Sequence, residues 1–151
     1  MRSPRTARRF IWIALAVQLA GLAYDAVWHG LIRPGVEPAT RREMAAHLLT
    51  VHLPLYIGVA AVLITMLWAF TDALRDGRAG GAWSVAALGA LLSAVGESWH
   101  AVMHLQLNAH AGAVAGSLSP VGLILVAGGV WRAGRREQRA RAAERDQRRA
   151  A

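Results

Sequence analysis

Asp25 and His29 are four residues apart, and Glu97, His100 and His104 follow one another at i, i+3 and i+7. Either spacing puts the side chains on one face of a helix, with Asp25 and His29 separated by about 6 Å along the axis. His47 and His52 add two further imidazoles near the same depth, and His110 completes the six histidines of the chain. Mixed imidazole and carboxylate donors suit Zn, Cu, Fe or Ni. A carboxylate beside an imidazole can also act indirectly, by accepting the second ring proton and fixing the tautomer. The residues expected at a metal centre are Asp25, His29, His47, Glu97 and His100.

His47 and His52 differ by five residues, which is about 140° of rotation on a continuous helix. On that geometry one of them faces inward and the other stays at the rim. A second chemistry uses the same imidazoles differently: His29 or His52 paired with His100 or His104 would ligate a b-type haem axially. His52 and His104 enter mainly through that alternative. A third reading needs no metal, because histidine titrates near neutral pH and a cluster of them could respond to acidity or simply pair with Asp25 and Glu97. His110, in a short turn, reads as an interfacial polar group.

Other chemistries are poorly served. The chain has no cysteine, which excludes thiolate sites, disulfides and covalent haem attachment. Glu97-x-x-His100 has the spacing used in di-iron bundles, but such centres draw on more embedded carboxylates than this chain offers. Ser98, Ser117 and Ser119 lack a nucleophile elbow, and no phosphate loop or dinucleotide fingerprint occurs. No catalytic motif is visible beyond the histidine cluster, so whether the chain is an enzyme stays open.

The elements that must hold these residues are apolar. Of 151 residues 55% are hydrophobic, gathered in four blocks near 10–32, 46–71, 82–105 and 113–131. Each is long enough for a hydrocarbon core of roughly 30 Å, which takes about 20 helical residues. Ionisable residues at that depth are costly and point to function. The first block is longer than a secretory signal core and ends in polar residues, so it reads as a span. The expected fold is all-α: an integral membrane four-helix bundle, up-down-up-down, between a basic N-terminus (1–9) and a basic tail (132–151).

Two weak echoes suggest duplicated helical hairpins: Trp28-His29 with Trp99-His100, and Pro54-Leu-Tyr-Ile-Gly58 with Pro120-Val-Gly-Leu-Ile124. Small residues such as Ala86, Ala90 and Ala94 would pack within one bundle, between copies in a homo-oligomer, or against other membrane subunits.

The net charge of +8 comes entirely from arginine and is unevenly placed. Arginines flank the first block on its N-terminal side, follow the second at Arg75 and Arg78, and crowd the tail, whereas the first loop carries three and the third none. The positive-inside rule then puts both termini in the cytoplasm and the histidines at the outer face of the plasma membrane. Trp12, Trp68, Trp83 and Trp131 mark one boundary, Trp28 and Trp99 the other. The expected partners of the basic ends are membrane lipids; no aromatic platform or recognition motif supports nucleic acid.

The run Tyr24-Asp25-Ala26-Val27-Trp28-His29, followed by a polar loop and then His47-Leu48-Leu49 ahead of Tyr56-Ile57-Gly58, resembles the C subunit of the particulate methane and ammonia monooxygenases and related bacterial membrane proteins with an Asp-x-x-x-His…His signature. The resemblance spans about Tyr24 to Gly58. It implies copper bound by Asp25, His29 and His47 near the outer membrane face. Here the loop between His29 and His47 is longer than in that family, and the domains of the other subunits are absent, so monooxygenase activity is not implied. The expectation is a site for copper first and zinc second, serving binding, sensing or delivery.

Overall fold

The computed structural model describes residues 4–150, leaving out the side chains of residues 4, 5, 109–111 and 113. The expectation for His110 therefore lies outside the described residues. The described chain is helical in six segments: α1 (Pro4–Val27), α2 (Arg41–Leu48), α3 (Leu53–Arg75), α4 (Gly81–Leu105), α5 (Ala109–Gly116) and α6 (Leu118–Ala150), with a π-helical turn over Trp28–Ile32 extending α1. Four helical stretches are long and apolar enough to cross a membrane: Thr6–Ile32, Leu53–Arg75, Gly81–Leu105 and Val114–Ala150. They form an antiparallel bundle in which α1 packs mainly on α3 and α4 mainly on α6, while α3 and α4 join the two pairs.

Close backbone approach sets both pairings. A Cβ on Gly58 would collide with the backbone of Gln18, and one on Gly122 would lie 2.5 Å from the Gly89 carbonyl oxygen. Lipid tails offer no hydrophobic gain for helix association, so such small-residue contacts and buried polar bonds carry it. Outward-facing Ile64, Leu88 and Ile124 are 66%, 62% and 67% exposed, a surface suited to hydrocarbon.

Each pair repeats one plan: a long helix, an eight-residue helix, then a second long helix with proline in its first turn, Pro54 in α3 and Pro120 in α6. The two pairs thus share one order of elements.

The links differ from expectation. The second span was expected from about 46, but α3 begins at Leu53 because α2 is a separate helix. Thr40 and Glu43 close a reciprocal capping box at its start, with Glu43 N–H donating to Thr40 Oγ1 at 3.2 Å. Pro54, without an N–H, belongs in a first turn and breaks the path from α2. The third link is not a bare turn, since it carries α5. There α4 ends through Leu107, which adopts φ +59°, a left-handed position that glycine usually fills. The tail continues α6 as an exposed helix to Ala150.

The bundle is layered along its axis. Ile11, Leu15, Val62, Met66, Ala86, Ala90, Val126 and Val130 make a dry core in the half nearer the termini. Above it lies one polar layer, in which Gln18 Nε2 donates to Ser93 Oγ at 2.6 Å and to Ser119 Oγ at 3.2 Å, all three side chains being buried. Above that layer the histidines begin.

Candidate metal centre

Three elements that end at the same level bring the polar residues together. Asp25 lies in the last turns of α1 and His29 in the π-turn, a local widening that recurs at functional sites. His47 occupies the last turn of α2, and His52 is the residue before α3. Glu97, His100 and His104 come from the final turns of α4. One cavity of about 350 Å³ is lined by all seven, with Val36, Glu37 and Pro38 of the first loop at its edge.

His52 is the hub. It is 1% exposed, and its ring centroid lies 5.4 Å from His29, 5.0 Å from His47, 5.3 Å from His100 and 5.6 Å from His104. His100 and His104 pack edge to face at 4.4 Å. The rotation argument that admitted only one of His47 and His52 fails here. It assumed one continuous helix, whereas the break between α2 and α3 turns both rings into the same cavity.

The donor atoms converge without hydrogen bonding to one another well. His29 Nε2 and His47 Nε2 are 3.4 Å apart, long for a hydrogen bond. Two imidazole nitrogens on a tetrahedral zinc, each about 2.0 Å from the metal, would be about 3.3 Å apart. Asp25 Oδ1 lies 2.9 Å from His52 Nδ1 and 3.8 Å from His29 Nε2. The 2.9 Å contact is not aligned as a hydrogen bond. Both its atoms, and His52 Nε2, are buried without an aligned partner among the described residues. One ligand atom from each of His29, His47 and His52 lies within 4.8 Å of the others, so these three side chains could hold a metal ion.

The other expected residues stand around this trio. His100 shares its Nδ1 with the Gly112 carbonyl oxygen at 2.7 Å, so Nδ1 carries the proton and Nε2 is left as the acceptor. Glu97 Oε2 and His104 Nδ1 are buried with no partner among the described residues. Glu97 also borders a second, apolar cavity between α3 and α4, beside Tyr56.

No family model matches the chain, and neither a curated protein nor a solved structure does. The site therefore stands on its own geometry.

His47 lies outside the spans. Burial holds its imidazole below the usual value near 6.5; His52 and His29 push the same way, and Asp25 pulls against them. A neutral imidazole is the form that binds a metal.

Sequence reasoning overlooked the hub role of His52, the first-loop edge and Ser119 as the third member of the polar layer. The signal for the first was present in Pro54, which forbids a helix running unbroken from His47.

Proposed function

We propose that this protein binds one transition-metal ion, copper first and zinc second, at His29, His47 and His52 with Asp25 as fourth donor or as the orienter of His52. The observation that carries the reading is the convergence of three imidazoles from separate elements, His52 buried with both ring nitrogens lacking an aligned partner among the described residues and the half-buried His29 and His47 at a ligand-to-ligand spacing. An unpaired buried polar group is costly, so a cluster of them calls for a ligand. The preference for copper comes from the resemblance over Tyr24 to Gly58, whose implied ligands Asp25, His29 and His47 all line this cavity.

Ring packing favours an ion over haem. Axial imidazoles stand on opposite faces of a macrocycle. Here His52 fills the space between His29 and the His100–His104 pair, and the neighbouring centroids are only 4.4 to 5.6 Å apart. The proposed role is binding, sensing or delivery at the outer face of a plasma membrane, with both termini in the cytoplasm, as the arginine distribution suggests.

The test is elemental analysis and an absorption spectrum of detergent-purified protein after reconstitution with Cu, Zn and haem, separately. One equivalent of Cu or Zn per chain, lost in both His29→Ala and His52→Ala and without a Soret band, supports the reading. A Soret band lost in His29→Ala but kept in Asp25→Asn, or no retained metal, overturns it.

A further inference from the structure

At the end of the bundle opposite the histidines, a cavity of about 600 Å³ opens between α1 and α6. Arg8, Arg9 and Arg135 line it together with Gln138, and Trp12 and Trp131 flank them; no carboxylate lines it. Glu137, behind the lining, is engaged by Arg8 at 3.1 Å and by Arg78 at 3.3 Å. Arg78 is itself clamped to Asp76 at 2.6 Å. This network fixes Arg8 where it enters the cleft. Its Nη1, although close to Glu137, is buried with no aligned acceptor among the described residues. Arg135 stacks over the Trp131 ring at 4.4 Å, which sets the second guanidinium.

The Arg9 and Arg135 guanidinium groups, with Gln138 as an amide donor and the Glu137-paired Arg8 at their edge, match a phosphate, which arginine can grip through paired N–H groups. A soluble phosphate would use only the cleft, but the structure continues beyond it. α1 and α6 touch only sparsely, and apolar surface lies exposed along both helices beyond the cleft. Two turns along the faces that carry Trp12 and Trp131 lie Leu19 and Ile124, 55% and 67% exposed. The two tryptophans sit where interfacial aromatics meet headgroups. We propose that the cleft between α1 and α6 is a specific site for the phosphate of an anionic phospholipid, whose acyl chains lie along the exposed apolar faces of those helices.

Gly134 separates a built site from diffuse positive charge. A Cβ there would lie 2.8 Å from Arg8 Nη1, so Gly134→Val displaces that guanidinium and narrows the cleft while leaving the net charge unchanged. The experiment is native mass spectrometry of the full chain in detergent, titrated with phosphatidylglycerol or phosphatidylcholine, with and without excess inorganic phosphate. The wild type is expected to retain one phosphatidylglycerol in preference to phosphatidylcholine. Gly134→Val and the double variant Arg9→Gln/Arg135→Gln should each weaken that binding about tenfold or more. The tail variant Arg145→Gln/Arg148→Gln/Arg149→Gln should bind as the wild type does. If Gly134→Val loses helicity by circular dichroism, the Arg9/Arg135 pair carries the test alone. Equal losses in the tail variant, wild-type binding by a folded Gly134→Val, or displacement of the lipid by inorganic phosphate overturns the proposal.

Discussion

His47 and His52 lie on either side of a helix break, yet their ring centroids are 5.0 Å apart in one cavity. The four residues between them form the turn that ends α2 and admits α3. Thr50 helps close it, its hydroxyl donating to the Ala46 carbonyl at 2.8 Å, while Val51 N–H donates to the His47 carbonyl at 2.8 Å. The spacing of these two candidate ligands thus depends on a backbone turn rather than on the pitch of a helix.

The capping box of α2 should therefore matter more to the ion than to the fold. Thr40→Ala removes the acceptor for Glu43 N–H and is expected to cost about 1 kcal/mol of helix stability. Because α2 buries only Met44 and Leu48, that loss loosens His47 while the four spans stay packed. Isothermal titration should show weakened metal binding with a thermal midpoint close to wild type. A variant that binds metal normally would separate the box from the site.

Asp25 and His52 are expected to differ in the size of their effect. Asp25→Asn keeps an oxygen near His52 Nδ1 but removes its charge, and should weaken metal binding roughly 10- to 100-fold, the range for partners that orient a ligand. His52→Ala removes a proposed ligand and the ring that packs against four other imidazoles, and should abolish stoichiometric binding. Competition with a chelator of known affinity measures both. Equal effects would mean that Asp25 is itself a direct ligand.

Acid should destabilise the metal-free protein through His47. Its folded pKa lies below the unfolded value near 6.5, so the folded state binds fewer protons between those two values. Stability is fully present above pH 6.5 and is lost as pH falls from there through the lower, folded pKa. His47→Gln should flatten part of that slope in unfolding midpoints taken across the window. An unchanged slope would remove His47 as its source.

Leu107 offers a stabilising change. Its φ of +59° is a conformation in which a side chain typically costs about 1 to 2 kcal/mol, and it is 45% exposed. Leu107→Gly should raise stability by about 1 kcal/mol after the added freedom of the unfolded chain is subtracted. A higher unfolding midpoint in detergent with unaltered metal stoichiometry is the expected result; a lower midpoint would show that the Leu107 side chain contributes packing that outweighs the strain.

Gly122 should tolerate nothing larger. Leucine there would drive into the Gly89 carbonyl and the Ser93 backbone and part α4 from α6. Overpacking of this kind typically costs about 1 to 3 kcal/mol. A lowered midpoint for Gly122→Leu, alongside a tolerated Gly128→Leu, checks it, since nothing lies within 4 Å of a Cβ at Gly128.

Residues in unbroken helix were legible in the sequence. The four apolar blocks became four helices of spanning length, and Glu97, His100 and His104 share the face that their spacing requires. Periodicity carries over only while the helix lasts. It therefore misjudged His47 and His52, placed the start of α3 too early and gave no sign of α5. The hub position of His52 depends on contacts with α1 and α4, far apart in sequence, which no local pattern records.

The polar layer of Gln18, Ser93 and Ser119 lies between the histidines and the dry core, where the side chains of Ile11, Val62, Met66 and Val126 meet with almost no exposed surface. Among the described residues that core supplies no imidazole or carboxylate, and bare charge in such packing is prohibitively expensive. The histidine cavity is edged by the first loop at Val36, Glu37 and Pro38, and Glu97 also borders the cavity between α3 and α4. An ion bound at the proposed site would meet a costly barrier toward the termini, which favours exchange on the histidine side over passage through the bundle.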